Sequence, residues 1–226
     1  MTAAGGRRAL LGALGLLVVA GAGWAASHLP FFRVRQIELE GVRYLAPDQV
    51  VAGLGLEAEQ SLFTRLGPME RRLEGLAGVV DAQVARRLPG TLRVVVTERV
   101  PIAFVPAPAG FIALDREARP LPYDPAVTGM DLPVTRSSDR EVLDALDRVR
   151  MADSVFYQEV ETASRGTGRS MILELGARRV IVRIVPASED IRAVAAVWRH
   201  LAVTGRPFAE LDARYAGWVV VRRNRT

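Results

Sequence analysis

The chain has 226 residues, 50% of them hydrophobic, 24% charged and 6% aromatic, enough apolar material for a real core and too much for a disordered tail. Its net charge of +5 is not a nucleic-acid signature: the excess sits at the two ends, the body is close to neutral, and all 30 basic residues are Arg, a coding bias that raises the pI without drawing a phosphate-binding stripe. With no Cys and two His, thiolate metal sites, thiol nucleophiles and a disulfide framework are excluded, and a structural zinc site has almost nothing to be built from.

Arg7 and Arg8 precede an uncharged stretch from Ala9 to Leu29 rich in Leu, Val, Ala and Gly. As a helix it would be about 31 Å long, matching a bilayer core of about 30 Å. The competing reading is a cleaved signal, with Ala20-Gly21-Ala22 as the small-residue cleavage site. The apolar run continues past that site through Trp24 to Pro30, which favours an uncleaved single span. Residues 1–8 then stay cytoplasmic, because a short head with two Arg and a terminal amine is retained while long domains translocate. Residues 31–226 are expected to lie outside the cytoplasm, with length for two domains of about 100 residues each.

In the first of these, Val34 to Glu40 reads as a strand with Ile37 and Leu39 on one face, ended by Gly41. Pro47 and Asp48 open a short helix with Val50, Val51 and Leu54 as its apolar face, broken by Gly53 and Gly55. Pro68 opens a second helix with Met69, Leu73 and Leu76 as its stripe, closed by Gly78. Two strands come next, Val79 to Leu88 and Thr91 to Glu98, joined by a Pro89-Gly90 turn. The order is strand, helix, helix, strand, strand.

This order resembles the POTRA domain, a small sheet with two helices on one face found in bacterial envelope proteins. More closely, the string from Arg86-Arg87-Leu88-Pro89-Gly90-Thr91-Leu92 through Thr97-Glu98-Arg99-Val100-Pro101 resembles the hairpin and exit segment of the FtsQ/DivIB family of cell-division proteins. The Pro-x-Thr-Leu turn followed by Glu-Arg-x-Pro is its most specific part.

The second domain is predicted to start near Pro101. Pro106 to Gly110 reads as a loop, and Phe111 to Asp115 as a strand entering a hairpin toward Leu121. Ser138 and Glu141 have capping-box spacing for a helix to about Met151 with Val142, Leu143, Leu146 and Val149 inward. Val155 to Ala163, Met171 to Leu175 and Val180 to Val185 read as strands, with a hairpin tip at Ser164 to Gly168. Ser188, Glu189 and Asp190 start a last helix, explained by capping and the macrodipole, with Ile191, Val194, Trp198 and Leu201 inward and Gly205 as its end. Glu210 to Val221 reads as one extended strand before a basic tail, residues 222–226.

That terminal stretch carries a second resemblance. Leu211-Asp212-Ala213-Arg214-Tyr215 followed by a Gly-containing turn into Trp218-Val219-Val220-Val221 is similar to the Asp-Leu-Arg-Tyr segment that ends the β domain of the same family, with Ala213 in place of Leu and a turn one residue shorter. The expected architecture is α+β: a cytoplasmic head (1–8), a single N-terminal transmembrane helix (9–29), a POTRA-like βααββ domain (31–101), a mixed β domain with packed helices (102–221) and the tail.

No catalytic, cofactor-binding or metal site emerges. His200 stands on a helix with no nucleophile motif near it, and Asp115 with Glu117 reads as a pair of solvated turn charges. Gly53-x-Gly55 and Gly166-x-Gly168 lack the context of phosphate loops. What remains is binding surface. A terminal strand presents an open sheet edge to which a partner strand can add, and Tyr215 and Trp218 are of the type that anchors interfaces, though Trp218 reads equally well as core.

The resemblance implies a non-enzymatic bitopic protein of the inner membrane at the division septum, binding no nucleic acid, small-molecule substrate or cofactor. Its β domain would bind FtsB/DivIC-like and FtsL-like bitopic partners to control septal peptidoglycan synthesis, and its POTRA domain would contact other divisome components. The family's docking strand falls on Tyr215, Gly217, Trp218, Val219, Val220 and Val221. Two other classes fit less of the chain: a POTRA-bearing secretion or assembly component, for which tandem POTRA units and a barrel are absent from the sequence, and an exported enzyme released by signal cleavage.

Overall fold

The computed structural model describes Val18, Gly21, residues 30–108 and residues 110–223. The predicted cytoplasmic head, nearly all of the predicted span and the last three residues of the tail lie outside the described residues. Among the described residues no helix is long and apolar enough to cross a membrane. The chain divides into two compact units, Met1–Glu98 and Arg99–Thr226.

In the first unit, β1 (Gln36–Glu40), β2 (Val79–Arg87) and β3 (Thr91–Glu98) form a sheet in the order β1-β3-β2. The β2–β3 pair is antiparallel, and β1 lies parallel to β3 with Ile37 opposite Leu92 and Leu39 opposite Val94. A parallel neighbour needs a crossover, and α1 (Pro47–Leu54) and α2 (Gly67–Glu74) belong to it. Pro47 stands in the first turn of α1, where its missing N–H costs nothing, and Gly55 caps the end in the left-handed region. Val50, Leu54, Met69 and Leu73 from the helices bury against Ala82, Val84, Leu92, Val94 and Val96 from the sheet. The opposite sheet face is polar, with Arg87 paired to Glu38 at 3.0 Å and Arg93 to Glu40 at 2.7 Å.

Three expectations in this unit are corrected. Val51 points to solvent rather than into the apolar face. Gly53 does not break α1 but lies inside it, where a Cβ would stand 2.8 Å from Leu76 Cδ1 and 3.1 Å from Leu73 Cδ2, so its lack of a side chain admits the α2 segment. The second helix stops at Glu74 with Gly75 as its cap, and Gly78 instead leads into β2.

The second unit is one nine-stranded sheet in the order β12-β11-β10-β9-β8-β7-β4-β5-β6. Its strands are β4 (Ala103–Ala107), β5 (Gly110–Leu114), β6 (Pro120–Leu121), β7 (Val134–Thr135), β8 (Thr162–Arg165), β9 (Ser170–Leu175), β10 (Arg178–Arg183), β11 (Glu210–Ala213) and β12 (Val220–Arg222). Four helices intervene: α3 (Pro125–Thr128), α4 (Arg140–Ala152), α5 (Ser154–Gln158) and α6 (Ser188–Thr204). The buried stripes of α4 and α6, including Leu143, Leu146, Val149, Ile191, Val194 and Trp198, share one core with Met171, Leu173, Val180, Val182 and Leu211 of the sheet. Crossovers through α4 and α6 make β7–β8 and β10–β11 parallel, while the hairpins are antiparallel.

The strand predicted over 155–163 is instead α5 followed by a short connection into β8. Asp153 Oδ1 accepts the Phe156 N–H at 2.9 Å as an N-cap, and consecutive Phe156 and Tyr157 are both buried, which a strand with alternating faces does not allow. The α4 cap is Asp139, accepting from the N–H groups of Glu141 at 3.0 Å and Val142 at 3.4 Å, not Ser138. No side chain caps α6, whose N-cap is Ala187. The predicted loop 106–110 is a tight hairpin between β4 and β5, and β7 carries no sequence signal because it is two residues long.

Candidate partner-docking edge

The predicted single strand 210–221 is two strands. β11 and β12 pair antiparallel, with Glu210 opposite Arg222, Leu211 opposite Val221 and Asp212 opposite Val220. Gly217, at φ +75°, makes the turn between them, and the Trp218 N–H donates to the Tyr215 carbonyl at 3.0 Å. β12 stands at the end of the strand order, so one of its edges has no neighbouring strand among the described residues.

Beneath this hairpin lie three carboxylates whose burial together the sequence did not reveal. Asp212 is fully buried; Arg214 reaches it with Nε at 2.9 Å and Nη2 at 2.6 Å, and Arg222 stands 3.6 Å away. The Arg214 guanidinium holds the Asp212 carboxyl below the usual carboxylate range, against the opposing effect of burial, with the Arg214 N–H and the Arg222 charge adding to the lowering. Glu210, also buried, pairs with Arg179 and with Arg222 at 3.0 Å. Asp190, at the start of α6, is buried against Arg183 and accepts the Gly217 N–H at 3.5 Å. The one available signal was an Asp two residues before an Arg at a strand end. These charges tie the turn to the sheet and the last helix.

Of the predicted docking residues, Tyr215 is 55% and Trp218 76% exposed, and Val220 and Val221 are exposed as well. Val219 is partly buried against the core, and Gly217 is the turn residue. Trp218 is therefore a surface residue and not part of the core, a choice the sequence left open. Elsewhere, His200 is exposed on α6. Asp115 is buried rather than solvated: its Oδ1 accepts the N–H groups of Glu117 at 2.9 Å and Arg119 at 2.8 Å, and Arg99 stands 3.6 Å from Oδ2. It organises a turn. Among the described residues no group of three or more His, Cys, Asp or Glu side chains is placed to hold a metal ion.

Residues 32–99 match the family model described as POTRA domain, FtsQ-type. The chain is 32% identical over 115 residues to the cell division protein FtsQ of Streptomyces bingchenggensis, covering 49% of this chain and 43% of that one. It is 25% identical over 175 residues to FtsQ of Corynebacterium glutamicum, covering 74% of this chain and 78% of the other. The chain is similar to cell division proteins FtsQ, and its residues 32–99 carry a POTRA domain of the FtsQ type. The Streptomyces member is thus matched over less than half its length. Among solved structures, the major extracytoplasmic domain of DivIB from Geobacillus stearothermophilus aligns with a TM-score of 0.33 and 15% identity, covering 49% of this chain and 98% of that one.

In this chain the Glu98-Arg99-Val100-Pro101 string has a structural role. Glu98 accepts the backbone N–H groups of Arg43 at 3.0 Å, Tyr44 at 2.8 Å and Leu45 at 2.8 Å, so one carboxylate organises the turn that leads from β1 into α1.

Proposed function

We propose that the protein is a non-enzymatic scaffold of the bacterial divisome. It is anchored by residues 9–29 in the inner membrane, with residues 1–8 in the cytoplasm and the two folded units outside it at the division septum. The β12 edge docks an FtsB/DivIC-like partner that acts together with FtsL, and through this complex the protein controls septal peptidoglycan synthesis. The first unit recruits it to the division site through other divisome components.

The observation that supports this reading most is the edge itself. A strand with one open side accepts a partner strand by backbone hydrogen bonding, and two exposed aromatics at its entry offer anchors of the kind that dominate interface energies. Edge strands in soluble proteins are normally blunted or covered; here the tip carries Tyr215 and Trp218 instead. Arg214 and Arg222 are neutralised by Asp212 and Glu210, which leaves hydrogen bonding and aromatic burial as the main source of affinity.

Tyr215→Ala and Trp218→Ala in the full-length protein are each expected to weaken binding of the purified partner complex by about 2 kcal/mol, roughly 30-fold, while far-UV circular dichroism stays native. Unchanged affinity, or loss of folding, would remove the edge from the reading.

A further inference from the structure

A second surface lies at the end of the first unit where the predicted span enters it. Phe31 follows Leu29, the last residue of the apolar segment, by two positions and is 54% exposed. Phe63, thirty-two residues later, is brought to the same place: the Leu62 N–H donates to the Phe32 carbonyl at 2.8 Å and the Val34 N–H to the Gln60 carbonyl at 2.9 Å. An isolated antiparallel bridge joins Arg33 to Ser61. The rings of Phe31, Phe32 and Phe63 form an edge-on chain with centroids 5.2 and 5.3 Å apart, yet Phe63 keeps 45% of its surface in solvent.

The β2–β3 hairpin tip comes to this end too. The Arg35 N–H donates to the Gly90 carbonyl at 2.8 Å, and a Cβ on Gly90 would stand 2.8 Å from the Arg33 carbonyl oxygen. The tip carries Leu88 at 64% exposure. Arg86 fixes the arrangement from below by donating to the Leu62 and Thr64 carbonyls at 2.7 and 2.6 Å. Arg33 and Arg35 lie beside the apolar tips, with Arg35 over the Phe31 ring at 5.9 Å and Arg33 paired to Glu59 at 2.7 Å. Exposed large apolar side chains beside arginines are the composition that settles at the headgroup–acyl boundary of an anionic bilayer.

We infer that this end of the first unit is a lipid-docking surface, in which Phe63 and Leu88 enter the outer leaflet beside the point where the chain leaves it. The occupant is an anionic phospholipid bilayer rather than a protein, because the segment that continues from Phe31 toward the N-terminus is the predicted span. The surface therefore fixes how the first unit stands on the membrane instead of leaving it on a free tether. This inference rests on residues 9–29 spanning the bilayer.

Because the chain has no cysteine, single labels report cleanly. Full-length Phe63→Cys, Leu88→Cys, Val18→Cys and Val80→Cys proteins would carry an environment-sensitive fluorophore in nanodiscs containing phosphatidylglycerol, with doxyl-labelled lipids as quenchers. Val80 is exposed at the other end of β2, roughly 25 Å from Leu88 at strand rise, and serves as the control. The expected result is deep quenching at 18, shallow quenching with blue-shifted emission at 63 and 88, and neither at 80. Quenching at 18 with 63 and 88 as solvent-like as 80 overturns the lipid-docking surface and leaves the span intact. No quenching at 18 removes both.

Discussion

Glu98 shows how much a single side chain can organise. A carboxylate serving three backbone donors leaves all of them unpaired when truncated, and each partly buried donor without a partner is costly. Glu98→Ala is expected to destabilise the first unit by about 3 kcal/mol in urea denaturation followed by circular dichroism. Asp212 does comparable work in the second unit, where its carboxyl is held low by Arg214. A depressed folded-state pKa means the stabilisation is fully present above the unfolded value of about 3.9 and is lost as pH falls through the folded value. Asp212→Asn should therefore cost about 2 kcal/mol at neutral pH, with the difference from wild type shrinking in denaturation curves taken below about pH 4.

Among the elements, β1 depends on the turn at its C-terminal end. Gly41 sits at φ +79°, and a Cβ there would stand 2.1 Å from the Val96 carbonyl oxygen of β3. Both the backbone conformation and the space demand glycine. Gly41→Ala is expected to lower stability by about 2 kcal/mol or more, read as a lower urea midpoint for the first unit. A midpoint equal to wild type would mean that the turn re-forms without this close approach. The β11–β12 hairpin has the opposite character. Its inner strand is wholly buried and ion-paired, while its outer strand is three residues long and has no neighbouring strand on its far side among the described residues.

The whole molecule is two units with separate cores, one a three-stranded sheet under two helices and the other a nine-stranded sheet sharing its core with α4 and α6. Among its described residues neither has a group of three or more His, Cys, Asp or Glu placed to hold a metal ion, and both present edges and exposed aromatics. On the proposed reading the apolar N-terminal segment is retained as a membrane anchor. The protein is accordingly expected to leave its host membranes only with detergent and at its full mass of 24.6 kDa. A soluble form lighter by about 2 kDa would mark signal cleavage and would remove the membrane scaffold reading.

Local pattern was legible wherever local forces decide the outcome. Alternation over 79–87 and 91–98, the proline-opened helices and the helical stripes from Val142 to Val149 and from Ile191 to Leu201 are short-range properties of the chain, and the strings around Pro89 and Glu98 lie within the matched POTRA segment. Short-range signals failed where long-range contact competes. Residues 155–158 are rich in strand formers but are turned into a helix by the Asp153 cap and by burial of two adjacent aromatics. Residues 210–221 look continuously extended, yet the chain reverses at Gly217, where Asp190, distant in sequence, receives the turn's N–H. The exposure of Trp218, the buried charge cluster under β12 and the chain of rings from Phe31 through Phe32 to Phe63 have no periodicity to announce them. They arise because segments tens of residues apart are brought together by sheet register and crossover, which only the tertiary structure sets.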